Sequence, residues 1–78
     1  MSRCVALFHN ISSALRAEKV LLPTGWPLRL IPTPRHLSSD CGVALRFGAE
    51  RREEVRERLA AVGVEAEIHP LPEAPGDR

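Results

Sequence analysis

The chain predicts an α+β domain in the order β-α-β-β-α-β, and three observations carry that prediction. Its two halves echo each other at one constant offset, which lays Val5-Ala6-Leu7 on Val43-Ala44-Leu45, Leu21 on Leu59, Gly25 on Gly63, Pro32 on Pro70 and Pro34 on Pro72. Each half contains a stretch with helical spacing of apolar residues that ends near a glycine. Short apolar runs of strand length flank both stretches. Because the matches fall on chain-reversing residues as well as on apolar ones, the repeat is read as structural.

Residues 4–8, Cys-Val-Ala-Leu-Phe, read as a strand, after which His9-Asn10 turns the chain and Asn10 or Ser12 can cap a helix. That helix is expected over residues 11–22. At about 100° per residue, Ile11, Ala14, Leu15, Ala17, Leu21 and Leu22 share one arc, while Ser12, Arg16 and Lys19 face away. Glu18 falls inside the apolar arc, and since a lone buried carboxylate is costly it must either find a partner or reach the rim. Pro23 and Gly25 are expected to stop the helix. Residues 28–31 alternate as a second strand and residues 43–47 form a third. A second helix is expected over residues 50–62: Val55, Leu59 and Val62 lie on one stripe, Glu50, Glu53 and Glu54 sit in the positive first turns, and Gly63 follows the end. Residues 64–69 close the pattern as a fourth strand.

Right-handed crossovers fold this order most simply into the ferredoxin-like split βαβ arrangement, a four-stranded antiparallel sheet ordered 4-1-3-2 with both helices on one face. Alternation then assigns Val5, Leu7, Leu28, Leu30, Val43, Leu45, Phe47, Val64, Ala66 and Ile68 to the helix side. The open side receives Cys4, Ala6, Phe8, Arg29, Ile31, Ala44, Arg46, Glu65, Glu67 and His69. Acids would gather at one edge of that face and arginines toward the other.

Composition excludes several function classes. The 78 residues have room for one domain with a thin core, here expected over residues 1–72, with a polar, flexible C-terminal tail over 73–78. A net charge of +1, with the two signs interspersed, argues against nucleic acid or an anionic membrane as the partner. No apolar run approaches the ~18 residues of a membrane span, and the first residues lack the apolar core of a signal peptide, so a cytoplasmic location is expected. Two distant cysteines make neither a disulfide framework nor a Cys-x-x-Cys metal motif. Cys4, His9, His36 and Cys41 do not converge as zinc ligands, and no metal or other cofactor is expected. An RNA-binding sheet would need stacked aromatics, whereas the open side offers Phe8 and no tyrosine.

The candidate site is the connection over residues 33–42, Thr-Pro-Arg-His-Leu-Ser-Ser-Asp-Cys-Gly, which is longer than the ~4–6 residues that usually join two elements. Cys41 is its best nucleophile. Arg35 supplies a cation, Ser38 and Ser39 supply hydroxyls, Pro32 and Pro34 stiffen the approach, and Gly42 lets a ligand come close to the backbone. In the expected topology this connection shares one end of the domain with the C-terminus of the first strand and the N-terminus of the first helix, so His9 and Asn10 come near Cys41. Cys4 would lie at the other end of its strand. A thiol facing free N–H groups at a helix N-terminus, with His9 and Arg35 nearby, is in surroundings that lower its pKa from the ordinary ~8.5.

Val-Ala-Leu-Phe-His-Asn, then Ala-Leu-Arg-Ala-Glu-Lys, Ile-Pro-Thr-Pro-Arg and Ser-Ser-Asp-Cys-Gly-Val-Ala-Leu-Arg, resemble the selenium/sulfur carrier protein-like family. The resemblance covers residues 4–70 and is most specific at Pro-x-Pro-Arg followed by Ser-Ser-x-Cys-Gly. It implies that Cys41 holds a sulfur or selenium atom as a persulfide or perselenide, received from a donor protein and passed to an acceptor. Cys41 would then be the carrier nucleophile, His9 and the helix N-terminus would favour its thiolate, and Arg35 would orient an anionic group, with Ser38, Ser39 and Gly42 completing the binding surface. Turnover of a substrate is not implied. The alternative is a noncatalytic dimerisation or adaptor module that binds a partner, or a second copy of itself as a homodimer, through the open sheet face.

Overall fold

A computed structural model describes residues 2–34, 37 and 42–71. The chain runs β1 (Arg3–Leu7), α1 (Ile11–Leu21), β2 (Leu28–Pro32), β3 (Val43–Gly48), α2 (Arg52–Ala61) and β4 (Glu67–Leu71), with 3₁₀ turns over Leu22–Thr24 and Ala49–Arg51. Every neighbouring pair of strands is antiparallel. The sheet order is β2-β3-β1-β4, the expected 4-1-3-2 read from the opposite edge. Both edge strands contain a proline, Pro32 in β2 and Pro70 in β4.

Local chemistry explains where each helix begins and ends. The Asn10 side chain caps α1 by accepting a hydrogen bond from the Ser13 N–H at 2.8 Å, which satisfies one of the amides that a helix N-terminus leaves open. Asn10→Ala should therefore cost about 1 kcal/mol and lower Tm by several degrees, roughly 4–8 °C for a domain of this size. A thermal melt that does not move would remove Asn10 as the cap. Pro23 does not stop the chain at once, because proline is tolerated at the start of a helical turn; the helix tightens into the 3₁₀ turn and ends at Gly25, whose φ is +79°. At the end of α2, Gly63 takes φ +73°, its N–H donates to the Ala60 carbonyl at 3.1 Å, and the Val64 N–H donates to the Leu59 carbonyl at 2.9 Å. This pair of bonds is a Schellman cap, with Val64 and Leu59 supplying its apolar contact. The repeat thus holds at backbone level, since Gly25 and Gly63 both occupy the left-handed region that favours glycine. It also explains why β4 starts at Glu67 and not at residue 64: the Val64 amide is committed to the helix cap.

The main core lies between the sheet and the two helices. Ala14, Ala17 and Leu21 from α1 and Val55 and Leu59 from α2 pack against Cys4, Ala6, Phe8, Leu45 and Phe47. Leu28, Leu30, Val43, Ala66 and Ile68 flank that cluster, as alternation predicted. The wide apolar arc expected for α1 proves narrower. Its buried seam is the small pair Ala14 and Ala17 with Leu21, while Ile11, Leu15 and Leu22 are about half exposed, at 54%, 49% and 56%. Glu18 is half-buried and makes no ion pair among the described residues, so it reaches the rim.

The expected faces of β1 are reversed. Cys4, Ala6 and Phe8 point to the helices, while Val5 and Leu7 point to the other side, where they cluster with Ala44 and meet Ile31, Leu37 and Leu71. The register requires this, because Cys4 lies opposite Phe47 and Ala6 opposite Leu45, and paired residues share a face. The constant offset that relates the helices of the two halves fails by one residue in their first strands. A one-residue slip exchanges every side chain between faces. All of Cys4 to Phe8 is buried, so β1 is covered on both sides. Among the described residues, no helix is long and apolar enough to cross a membrane.

Candidate functional site

One end of the sheet collects the end of β1, the start of α1, the end of β2 and the starts of β3 and β4. The connection between β2 and β3 leaves from this end and returns to it, and the Thr33 N–H donates to the Gly42 carbonyl at 3.0 Å, closing its neck. Within it the Leu37 N–H bonds to the Pro34 carbonyl at 3.0 Å. The Leu37 side chain packs onto the Val5, Leu7 and Ala44 cluster. Cys41, Arg35, Ser38 and Ser39 lie outside the described residues, as do His36 and Asp40. Gly42 is placed: it is exposed, and a Cβ added there would meet open space. It leaves the backbone next to Cys41 accessible.

The groups expected to act on the thiol gather at the same end. Leu7 pairs with Ala44 at the end of the ladder, so His9, two residues on, and Gly42, two residues before Ala44, lie at the same end of the sheet. His9 is exposed, and its Nε2 lies 3.4 Å from Glu65 Oε1, with side chains 69% and 85% exposed. Glu65 was expected on the open sheet face near one edge; it lies instead before β4 begins, where the chain passes the end of β1. Only the tertiary pairing of β4 with β1 makes the two neighbours, so no local sequence signal could have joined them. The first turn of α1 carries no acidic residue, and its positive end is therefore not offset from within the helix. Cys4 stands apart, near the opposite end of β1, as a free thiol only 2% exposed in the core. Among the described residues, no cluster of His, Cys, Asp or Glu could hold a metal ion.

The open sheet face is less available to a partner than alternation implied. Its apolar centre, Val5, Leu7 and Ala44, is already buried within the monomer. Charge divides across the face as expected: Arg29 and Arg46 lie on β2 and β3, and Glu67 lies on the β4 edge with its Oε1 3.2 Å from His69 Nε2. The large apolar side chains left in solvent are Ile11 and Leu15 on α1 and Leu22 in the 3₁₀ turn that follows it.

Fold and site together define a small α+β domain whose longest connection is pinned at one end of a four-stranded antiparallel sheet. The family model described as "Putative Se/S carrier protein-like" matches residues 3–70, and the chain belongs to that family. No curated protein and no solved structure matches it.

Proposed function

We propose that this chain carries sulfur or selenium on Cys41, as a persulfide or perselenide, between a donor and an acceptor protein. The observation that carries the reading is membership of the selenium/sulfur carrier-like family over residues 3–70, a span that includes the whole β2–β3 connection. The neighbourhood fits it. Cys41 directly precedes Gly42, whose carbonyl closes the neck of the connection, and the N-terminus of α1 and His9 belong to the same end of the sheet.

In loading, the Cys41 thiolate attacks the terminal sulfur of a donor persulfide. A new sulfur–sulfur bond forms on Cys41, the donor's own sulfur–sulfur bond breaks, and the donor cysteine leaves as a thiolate. The proton on the transferred sulfur stays with it, and no oxidant is consumed. Delivery repeats the exchange with an acceptor thiolate. His9 and the α1 N-terminus favour the ionised thiol, Arg35 orients the anionic group, and Ser38 and Ser39 donate hydrogen bonds to it. Because the cargo is passed on intact, the domain acts as a carrier.

Intact mass spectrometry after incubation with glutathione persulfide tests this. An adduct of about 32 Da for sulfur, or about 79 Da when the cargo is selenium, should appear on Cys41, disappear on reduction and be absent from Cys41→Ser. An unmodified Cys41, or the same adduct in Cys41→Ser, would overturn the carrier reading. The dimerisation or adaptor module would then be the better account, and the exposed Ile11 and Leu15 of α1 with the adjoining Leu22 would be its surface.

A further inference from the structure

The end of the sheet farthest from the β2–β3 connection has a charge arrangement that folding alone does not explain. Arg29 and Arg46 lie directly opposite each other on β2 and β3, and like charges in a cross-strand pair destabilise a sheet. The reversed faces of β1 bring Arg3 onto the same side, opposite Gly48. The side chains of these three arginines make no ion pair or hydrogen bond to a described residue. Nearby, Arg51 is partly engaged. It sits 5.0 Å from the centre of the Trp26 ring and 3.2 Å from Glu54 Oε1.

These side chains surround a cavity of about 330 Å³, lined by Arg3, Arg29, Arg46 and Arg51 with Ser2 and the Gly48 backbone. Among the described residues Glu50 is the one acid in the lining, and its carboxylate folds back over Gly48, where an added Cβ would come within 2.7 Å of Oε1. Among the described residues, four arginines and one glutamate thus line this cavity, in a chain whose total charge is only +1. The excess is local.

We propose that this cavity binds a small phosphate-bearing ligand. A ligand with two or more anionic oxygens would convert the Arg29–Arg46 repulsion into two charge-assisted contacts, and guanidinium forks match phosphate geometry in pairs. Cavity size selects a small molecule over a polymer, since about 300 Å³ is the lower end of ordinary ligand sites. Ser2 adds a hydroxyl donor. This site lies at the end of the sheet opposite Gly42 and does not depend on the carrier reading.

Calorimetric titration of the intact protein with inorganic pyrophosphate, at two salt concentrations, tests the assignment. Binding should occur and weaken as salt rises. Arg29→Gln and Arg46→Gln should each reduce affinity roughly tenfold or more, whereas Arg56→Gln, on the far side of α2, should leave it unchanged. Without ligand, Arg29→Gln should raise Tm, because it removes the opposed pair, and it should also abolish the rise in Tm that pyrophosphate produces in the parent protein. Failure of pyrophosphate to bind at millimolar concentration would overturn the proposal, as would affinity indifferent to both substitutions. Tight binding of an oligonucleotide with no response to pyrophosphate would assign the cluster to a polymer and overturn it equally.

Discussion

Iodoacetamide at pH 7 should alkylate Cys41 in the native protein and leave Cys4 unmodified until the domain opens. The Cys4 side of this contrast rests on burial. Its side chain is 2% exposed between the sheet and the helices, so reagent reaches it only through an unfolding fluctuation. A domain of this size holding on the order of 5 kcal/mol is open in roughly one molecule in several thousand, and Cys4 labelling should be slowed by about that factor. An exposed loop thiol without any carrier role would also outrun so protected a cysteine. The discriminating measurement is therefore the pH dependence of Cys41 labelling. If the α1 N-terminus and His9 stabilise the thiolate, the rate should reach half its maximum clearly below the ordinary thiol value of ~8.5, and His9→Ala should move that midpoint upward. The sign follows from charge: a partner that favours the anion lowers the pKa, so the ionised fraction at neutral pH rises. A midpoint at the ordinary value, unmoved in His9→Ala, would remove the activating role assigned to these groups.

Replacing Phe47 by alanine should remove most of the protein's stability and bring it toward its unfolding midpoint. Phe47 is 1% exposed, lies opposite Cys4 on one side and Leu28 on the other, and belongs to the main core. Truncating a buried phenylalanine removes its transfer free energy and leaves a cavity, together costing about 3–5 kcal/mol. That is comparable with the total stability of a small domain, on the order of 5 kcal/mol. Phe47→Leu, which keeps most of the volume, should cost less than half as much. Urea titration followed by circular dichroism would measure both. A loss below about 1 kcal/mol for Phe47→Ala would contradict the packing described for β3.

The two helices and the order of the four strands were legible in the sequence because each depends on local signals. Leu21 and Leu59 mark the buried stripes, Asn10 marks a cap, and Gly25 and Gly63 mark the turns that only a left-handed residue fits comfortably. The faces of β1 were not legible. Cys4 to Phe8 is apolar throughout, so it contains no alternation from which to choose a side, and the repeat then supplied the wrong choice by aligning Val5 with Val43. An unbroken apolar run is itself the mark of a strand buried on both faces. Taken that way, it would have shown that something covers the second face, where Leu37, Ile31 and Leu71 in fact pack. Likewise Arg3 could not be added to Arg29 and Arg46 until the register of β1 was known. The position of Cys41 within the connection depends on neither helical nor strand periodicity, and the role proposed for it rests on the family and on the end of the sheet to which the connection returns.

Prolines in both outer strands bear on how this protein behaves in a crowded solution. A free sheet edge is a template on which another chain can stack, and long regular edges are where aggregates and fibrils begin. Pro32 closes β2 near one end of the sheet, whereas Pro70 lies opposite Cys4 in β4 toward the other. Neither residue has a backbone N–H to offer. A stranger's strand laid along either margin would find the ladder interrupted, at opposite ends on the two sides. Recognition by strand addition is disfavoured at both margins, so partners are left to engage helices, loops and charged ends, and a half-exposed sheet of this size can remain dispersed at high concentration.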